Sequence, residues 1–340
     1  MADNICILLG AGASVEQKLP QWLELVKGVV DYYNIDLELD KENLIQSVGI
    51  IEDNRLADIH QKLSEANIFY SDEQSWARMN IAIATRMCLK KSLIKRPFDE
   101  ILSNMKLMRS IAEAVYKRAE AGLMTTIITY NFDDYFEFAY KYVLSENDLL
   151  SKYDEHLSSF TIGSAEQHLP SGVQEKLVNV YHVHGCIPIF DELYGHNIYK
   201  TEKEEHKRKN MEFYQNCINA GIVFSGNDYN QLLDDSIVGW TNMIQYICYS
   251  QLPVTIIGFS LTDANFRMLL RRMQKSKEYI KSAMIFLGYS DESEKKQADT
   301  SAKTASYLFK GICDNPEYNV EKFGADYINA VKNHLNSYLC

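Results

Sequence analysis

The stretch Ile5-Cys6-Ile7-Leu8-Leu9-Gly10-Ala11-Gly12-Ala13-Ser14 runs five apolar residues into two glycines one residue apart, followed by a hydroxyl. A short unbroken apolar run closed by glycine reads as a strand buried on both faces, as in a parallel sheet. Gly10 permits a tight turn, and Gly12 lets backbone N–H groups approach a pyrophosphate at a helix N-terminus. Ser14 adds a hydroxyl donor. Val15 stands where the dinucleotide fingerprint has its third glycine, so that match is incomplete. The turn reads as a nucleotide loop or as a purely structural turn, and its place after the first apolar run favours the nucleotide.

Further apolar runs lie at Thr126–Tyr130, Val178–His184, Gly221–Phe224, Val254–Phe259 and Ala283–Leu287. Long connections between them exclude hairpins and predict an α/β fold. The expected form is a doubly wound, Rossmann-like, mainly parallel sheet with helical insertions. The whole chain, 1–340, reads as one nucleotide-binding unit. More than 100 residues separate Leu9 from Thr126, so roughly 35–120 is expected to be a helical insertion. Ile101, Met105, Met108, Ile111 and Val115 make one helical stripe, and Met79, Ile83 and Met87 another, both read as core. A helix over Tyr135–Leu144 precedes a polar, loop-like span to Leu177. The mixed charges of 201–210 predict a solvated helix face. Roughly 291–340 reads as a surface loop or short exposed helix (291–301), an edge strand (318–323) and a closing helix (327–339).

The net charge of −11 gives no overall cationic field for nucleic acid, so direct nucleic-acid binding is not expected. No run of 18 apolar residues occurs, and the N-terminus lacks a basic flank and cleavage site, so neither membrane nor export is expected. Seven cysteines without a Cys-x-x-Cys pair make neither a disulfide framework nor a zinc knuckle, which predicts a reducing, cytoplasmic setting.

Three more strand ends carry polar chemistry. Asn131, Phe132, Asp133 and Asp134 follow the second run. Asn131 suits a ribose hydroxyl or a positioned water, or it caps a helix starting at Phe132, with Asp133 and Asp134 favourable in the first turn. His182 and His184, two apart, are expected to share a strand face. A metal pair, a single general base and satisfied core histidines are the three readings, and the base is the most economical. Gly258, Ser260, Thr262, Asp263 and Asn265 repeat the design of the first turn, with Ser260 and Asn265 facing the adenosine side of a dinucleotide or Asp263 merely capping a helix.

Together these blocks resemble the sirtuin superfamily. Gly10, Ala11, Gly12 and Ser14 match its nucleotide loop, and Pro20 matches the loop over the nicotinamide ribose. Asn131 and Asp133 match its Asn-x-Asp signature, and His184 and Gly185 its His-Gly signature. Gly258, Ser260, Asp263 and Asn265 match the later block of the bacterial sirtuin-like branch. The paired zinc cysteines and the Gly-x-Leu-Arg-Pro strand of protein deacylases are missing. This resembles the zinc-less effectors of prokaryotic antiviral defence that hydrolyse NAD+ to ADP-ribose and nicotinamide. The resemblance implies NAD+ as substrate, a homo-oligomer and a separately encoded sensor or regulatory partner.

It also implies roles: Asn131 orients water or ribose hydroxyls, His184 accepts a proton, and Asp133 gives electrostatic support. A protein deacylase, an ADP-ribosyl transferase and a non-catalytic nucleotide-binding scaffold are the competing readings. Structural zinc wants four ligands in a compact tetrahedron, so zinc is not expected. Elemental analysis of the purified protein should find no stoichiometric zinc; one ion per chain would restore the deacylase reading.

Overall fold

The computed structural model describes residues 4–20, 24–25, 27–29, 73–161, 176–199, 217, 222–223, 239–259, 261, 263–313 and 316–339. Among these residues seven strands form one sheet: β1 (Ile5–Leu9), β2 (Thr125–Thr129), β3 (Leu157–Thr161), β4 (Val178–His182), β5 (Val254–Ile257), β6 (Ala283–Tyr289) and β7 (Glu317–Lys322). Their order is β3-β4-β2-β1-β5-β6-β7, and every pairing is parallel. The expected doubly wound α/β architecture is therefore present.

β1 lies at the centre, with Ile5 opposite Thr125 on one side and Cys6 opposite Val254 on the other. Its alternate side chains enter two different cores. Ile5, Ile7 and Leu9 join one with helices α3 (Lys106–Glu120), α4 (Tyr135–Glu146) and α9 (Ala325–Ser337). Cys6 and Leu8 join the other, with α6 (Gly239–Gln251), α7 (Ala264–Ser276) and α8 (Glu292–Leu308). Burial on both faces is why the strand shows no polar alternation.

Several expectations need correction. Ile222 and Val223 belong to no strand; the Val223 N–H instead donates to the His184 carbonyl at 2.8 Å. The span after α4 contains β3, an edge strand too polar for its Ser158 and Ser159 to read as one. The stretch 291–301 starts the long helix α8: Asp291 accepts N–H bonds from Ser293 and Glu294, and Glu294 accepts one from Ser290. The stripe from Ile101 to Val115 is broken into α2 (Phe98–Ser103) and α3. In α1 (Glu73–Leu93) the buried positions among the described side chains are Ala82, Ala84, Thr85, Leu89 and Leu93, whereas Met87 is exposed. The charged stretch 201–210 and all of 35–72 lie outside the described residues.

The switch in strand order places the turn after β1 against the turn after β5. Gly10 N–H donates to Ile257 O at 3.0 Å, and Gly12 N–H to Gly258 O at 2.8 Å. A Cβ on Gly12 would stand 2.8 Å from Gly258 Cα, and one on Gly258 2.2 Å from Ala13 N. Gly258 also has φ +64°. The turn after β1 is a 3₁₀ segment, Ala11–Gln17, rather than an α-helix. Gly12 thus makes room first for Gly258, so Gly12→Val would disturb packing before it reported on a ligand. Gly258→Ala should cost about 2–4 kcal/mol by urea unfolding, through both strain and collision. Gly122, at φ +72° with open space around it, isolates the strain alone, and Gly122→Ala should cost only about 1–2 kcal/mol. Equal losses would deny the collision.

Candidate functional site

The carboxyl ends of β1, β2, β4 and β5 bring together most of the residues singled out above. Asn131 lies beyond the end of β2, with its N–H held by Thr129 Oγ1 at 3.1 Å. Its Nδ2 donates to Gly10 O at 3.1 Å and to Ser14 Oγ at 3.2 Å. Ser14 Oγ in turn lies 3.5 Å from both carboxylate oxygens of Asp133. Gly10, Ser14, Asn131 and Asp133 therefore form one connected chain between β1 and β2. Asn131 does not cap α4: that helix starts at Tyr135, whose N–H is taken by Asp133 Oδ1 at 3.1 Å. Ser14 is tied inward, to Asn131 and Asp133, while Ala11 is the exposed residue of the turn.

The two histidines part company. His182 Nε2 stands 2.6 Å from Glu137 Oε1 on α4. His184 packs edge-on against Tyr130, 4.7 Å between ring centres, with Nε2 3.7 Å from Asp263 Oδ2. Each has its own carboxylate, so they do not make a metal pair. Among the described residues no group of three or more His, Cys, Asp or Glu is arranged to hold a metal. Burial pushes the His184 imidazole below its usual range, more than Asp263 raises it, so it is neutral and able to accept a proton. The turn beyond it uses Gly185 at φ +96°.

In the turn after β5, Asp263 accepts the Phe266 N–H at 2.9 Å and caps α7. Leu261 holds φ +60°, a strained value for a leucine, and its carbonyl accepts from Arg267 Nε at 2.7 Å. Asn265 is fully buried, and among the described residues neither end of its amide has a hydrogen-bond partner. Ser260 lies outside the described residues, and half-buried Pro20 joins none of these hydrogen bonds. Sequence reasoning missed Tyr130, whose hydroxyl bonds to Gln245 and whose ring walls His184. It also missed Glu137, the third residue of α4, two places beyond the Tyr135 whose N–H Asp133 accepts.

A SIR2-like domain model matches residues 125–308, more than half of the chain. The chain belongs to the SIR2-like domain family. No curated relative matches it. SIR2-like domains generally use NAD+, and in this one β1 and Gly10–Ser14 precede the matched stretch yet sit at the centre of the same sheet.

Two further carboxylates brace the SIR2-like crevice by capping helices other than their own. Glu16 accepts the N–H groups of Lys106 and Leu107 at the start of α3, at 2.7 and 2.5 Å. Asp134, expected to favour its own helix, instead accepts Phe190 N–H at 2.8 Å and Asp191 N–H at 2.9 Å at the start of α5 (Ile189–Ile198). Burial pushes Glu16 up to about 7 and Asp133 to about 6, despite their N–H bonds. Burial, then the Asp191 carboxylate, pushes Asp134 to about 8. A carboxyl raised in the fold keeps a proton that the unfolded chain gives up near pH 4. Its contribution to stability is therefore full at low pH and falls as pH rises towards the raised value. Asp134→Asn cannot ionise and keeps one acceptor oxygen. Thermal melts should show the wild type losing more stability than Asp134→Asn between about pH 6 and pH 8.5. Parallel curves would show that Asp134 holds no such proton.

Proposed function

We propose that this chain binds NAD+ across the turns after β1, β2, β4 and β5 and hydrolyses its nicotinamide–ribose bond. The observation that carries the reading is the Gly10–Asn131–Ser14–Asp133 chain, which lies in the crevice where open parallel sheets bind ligands. Asn131 spends its amide N–H groups on the turn after β1, and its carbonyl oxygen makes no hydrogen bond among the described residues. That oxygen is the group offered to a ribose hydroxyl or a water. The orphaned amide of Asn265 fits a polar ligand on the β5 side. Gly10, Ala11, Gly12, Gly258, Ser260, Asp263 and Pro20 complete the proposed nucleotide surface.

Hydrolysis breaks the bond from ribose C1′ to the nicotinamide nitrogen, and the electron pair leaves with nicotinamide. Water supplies the oxygen to C1′, and neutral His184 takes its proton. Asn131 positions the water, and ionised Asp133 favours the positive charge that develops at the sugar. No step in this scheme uses a metal. Oligomerisation, a regulatory partner and a role in antiviral defence by NAD+ depletion accompany the reading as parts of the same proposal, resting on the sequence resemblance.

Family membership by itself supports a wider reading, an NAD+-dependent protein deacylase or ADP-ribosyl transferase, which shares the first bond cleavage. Hydrolysis is preferred because the paired cysteines and the peptide-strand signature of deacylases are missing from the sequence. With NAD+ alone, wild-type protein should release nicotinamide, alone or with its partner. His184→Ala should retain NAD+ binding and lose about 10²- to 10⁴-fold in turnover. Asn131→Ala should lose a comparable factor, and the double variant little more. Nicotinamide release that requires an acyl-lysine peptide would replace this reading with deacylation. Normal turnover by His184→Ala would remove the base.

A further inference from the structure

A neutral imidazole carries one proton and one lone pair on different nitrogens, and only the lone pair can take a proton from water. His184 therefore needs a neighbour that decides which nitrogen holds the proton. β4 ends two residues before it, and its main chain is pinned, since the His184 carbonyl accepts the Val223 N–H at 2.8 Å. Tyr130 walls its ring, at 4.7 Å between centres and 79° between planes. Tyr130 is itself fixed. Its ring lies 4.6 Å from that of Phe259, and its hydroxyl donates to Gln245 Oε1, which also accepts from Tyr249 Oη at 3.3 Å. The imidazole is thus held in place, and what it meets at Nε2 is the carboxylate of Asp263.

The chain reaches Asp263 through Leu261, at φ +60°, whose carbonyl is tied to Arg267 Nε at 2.7 Å. The two carboxylate oxygens of Asp263 then do different things. Oδ1 accepts the Phe266 N–H at 2.9 Å and caps α7, whereas Oδ2 stands 3.7 Å from His184 Nε2. The Asp263 and His184 side chains are only 10 % and 5 % exposed, so water screens the contact little. At 3.7 Å it is longer than a closed hydrogen bond, as catalytic contacts often are before substrate tightens them. A carboxylate offers lone pairs only, so it repels a lone pair on Nε2 and attracts an N–H there. It would also favour the imidazolium that forms when the other nitrogen takes a proton. Capping α7 does not by itself call for an acid, because Asn or Ser caps a helix as well as Asp.

We propose that Asp263 is a positioning residue that fixes the tautomer of His184, holding the ring proton on Nε2 and leaving the Nδ1 lone pair as the base. The proposal rests on the reading of His184 as the base, but its decisive measurement does not need turnover.

The cap makes the test specific. In Asp263→Asn the side-chain oxygen must stay on the Phe266 N–H, so the amide NH2 takes the place of Oδ2 and offers a donor to Nε2. Nε2 must then accept, and the ring proton moves to Nδ1. Asp263→Ser keeps a capping oxygen but is one atom shorter and presents no charge to the ring. A residue that only capped α7 would be replaced better by the isosteric Asn than by Ser; fixing the tautomer reverses that order.

The full chain is labelled with ¹⁵N-histidine, and His184 is assigned by its loss in His184→Gln. Two-bond proton–nitrogen correlation spectra at about pH 7.5 should show its proton on Nε2 in the wild type and on Nδ1 in Asp263→Asn. In Asp263→Ser the proton should be shared between the two nitrogens. In nicotinamide release, Asp263→Asn should lose about 10²- to 10⁴-fold in kcat with little change in KM for NAD+. Asp263→Ser should lose no more than about tenfold. A wild-type proton on Nδ1, or an unmoved proton in folded Asp263→Asn, overturns the proposal. So does a greater loss of turnover in Asp263→Ser than in Asp263→Asn. If neither variant folds, the wild-type spectrum decides alone. Tautomers as expected with undiminished release by Asp263→Asn would instead remove His184 as the base and leave its contact with Asp263 intact.

Discussion

The close approach of two turns governs this molecule. Gly12 and Gly258 bring backbone against backbone after β1 and β5, close enough that a single methyl group on either would collide. Their contact closes one wall of the crevice and spends the Gly10 and Gly12 amides on Ile257 and Gly258. What remains for chemistry is set by that expenditure. Asn131 and Ser14 complete the other wall, because Asn131 reaches across to Gly10 from β2.

Acidic side chains extend the same economy outward. Glu16 leaves the turn after β1 to cap α3, and Asp134 leaves the end of β2 to cap α5. Gln17 follows the same path, donating to Ile101 O at 2.9 Å and Tyr135 Oη at 2.7 Å. Helix N-termini that would otherwise expose unpaired amides are thereby fastened to the site's own loops. The turns that hold the crevice are also the turns that hold the helices.

Much of this was legible in the residues, for identifiable reasons. Buried parallel strands announce themselves as apolar runs, so β1, β2, β4, β5 and β6 could be read directly. β3 could not, because an edge strand with Ser158 and Ser159 has no such run. The pairing of Asn131 with Gly10 and Ser14 was foreshadowed by strand-end placement, but the partner of each carboxylate was not. Asp134 and Asp133 are neighbours in sequence and serve different helices. The two histidines were expected to share a face; instead, with the strand ending at His182 and Gly185 turning the chain, each ring meets a different carboxylate.

The division of β1 between two cores has one more consequence. A strand with a polar face is held in register by its pattern, since a slip of one residue would bury charge. β1 has no such protection: exchanging Cys6 and Leu8 for Ile5, Ile7 and Leu9 would leave both cores apolar. The information that fixes its alignment therefore resides outside the strand. It resides in Gly10 and Gly12, where a shift of one position would drive a side chain into the backbone at Gly258.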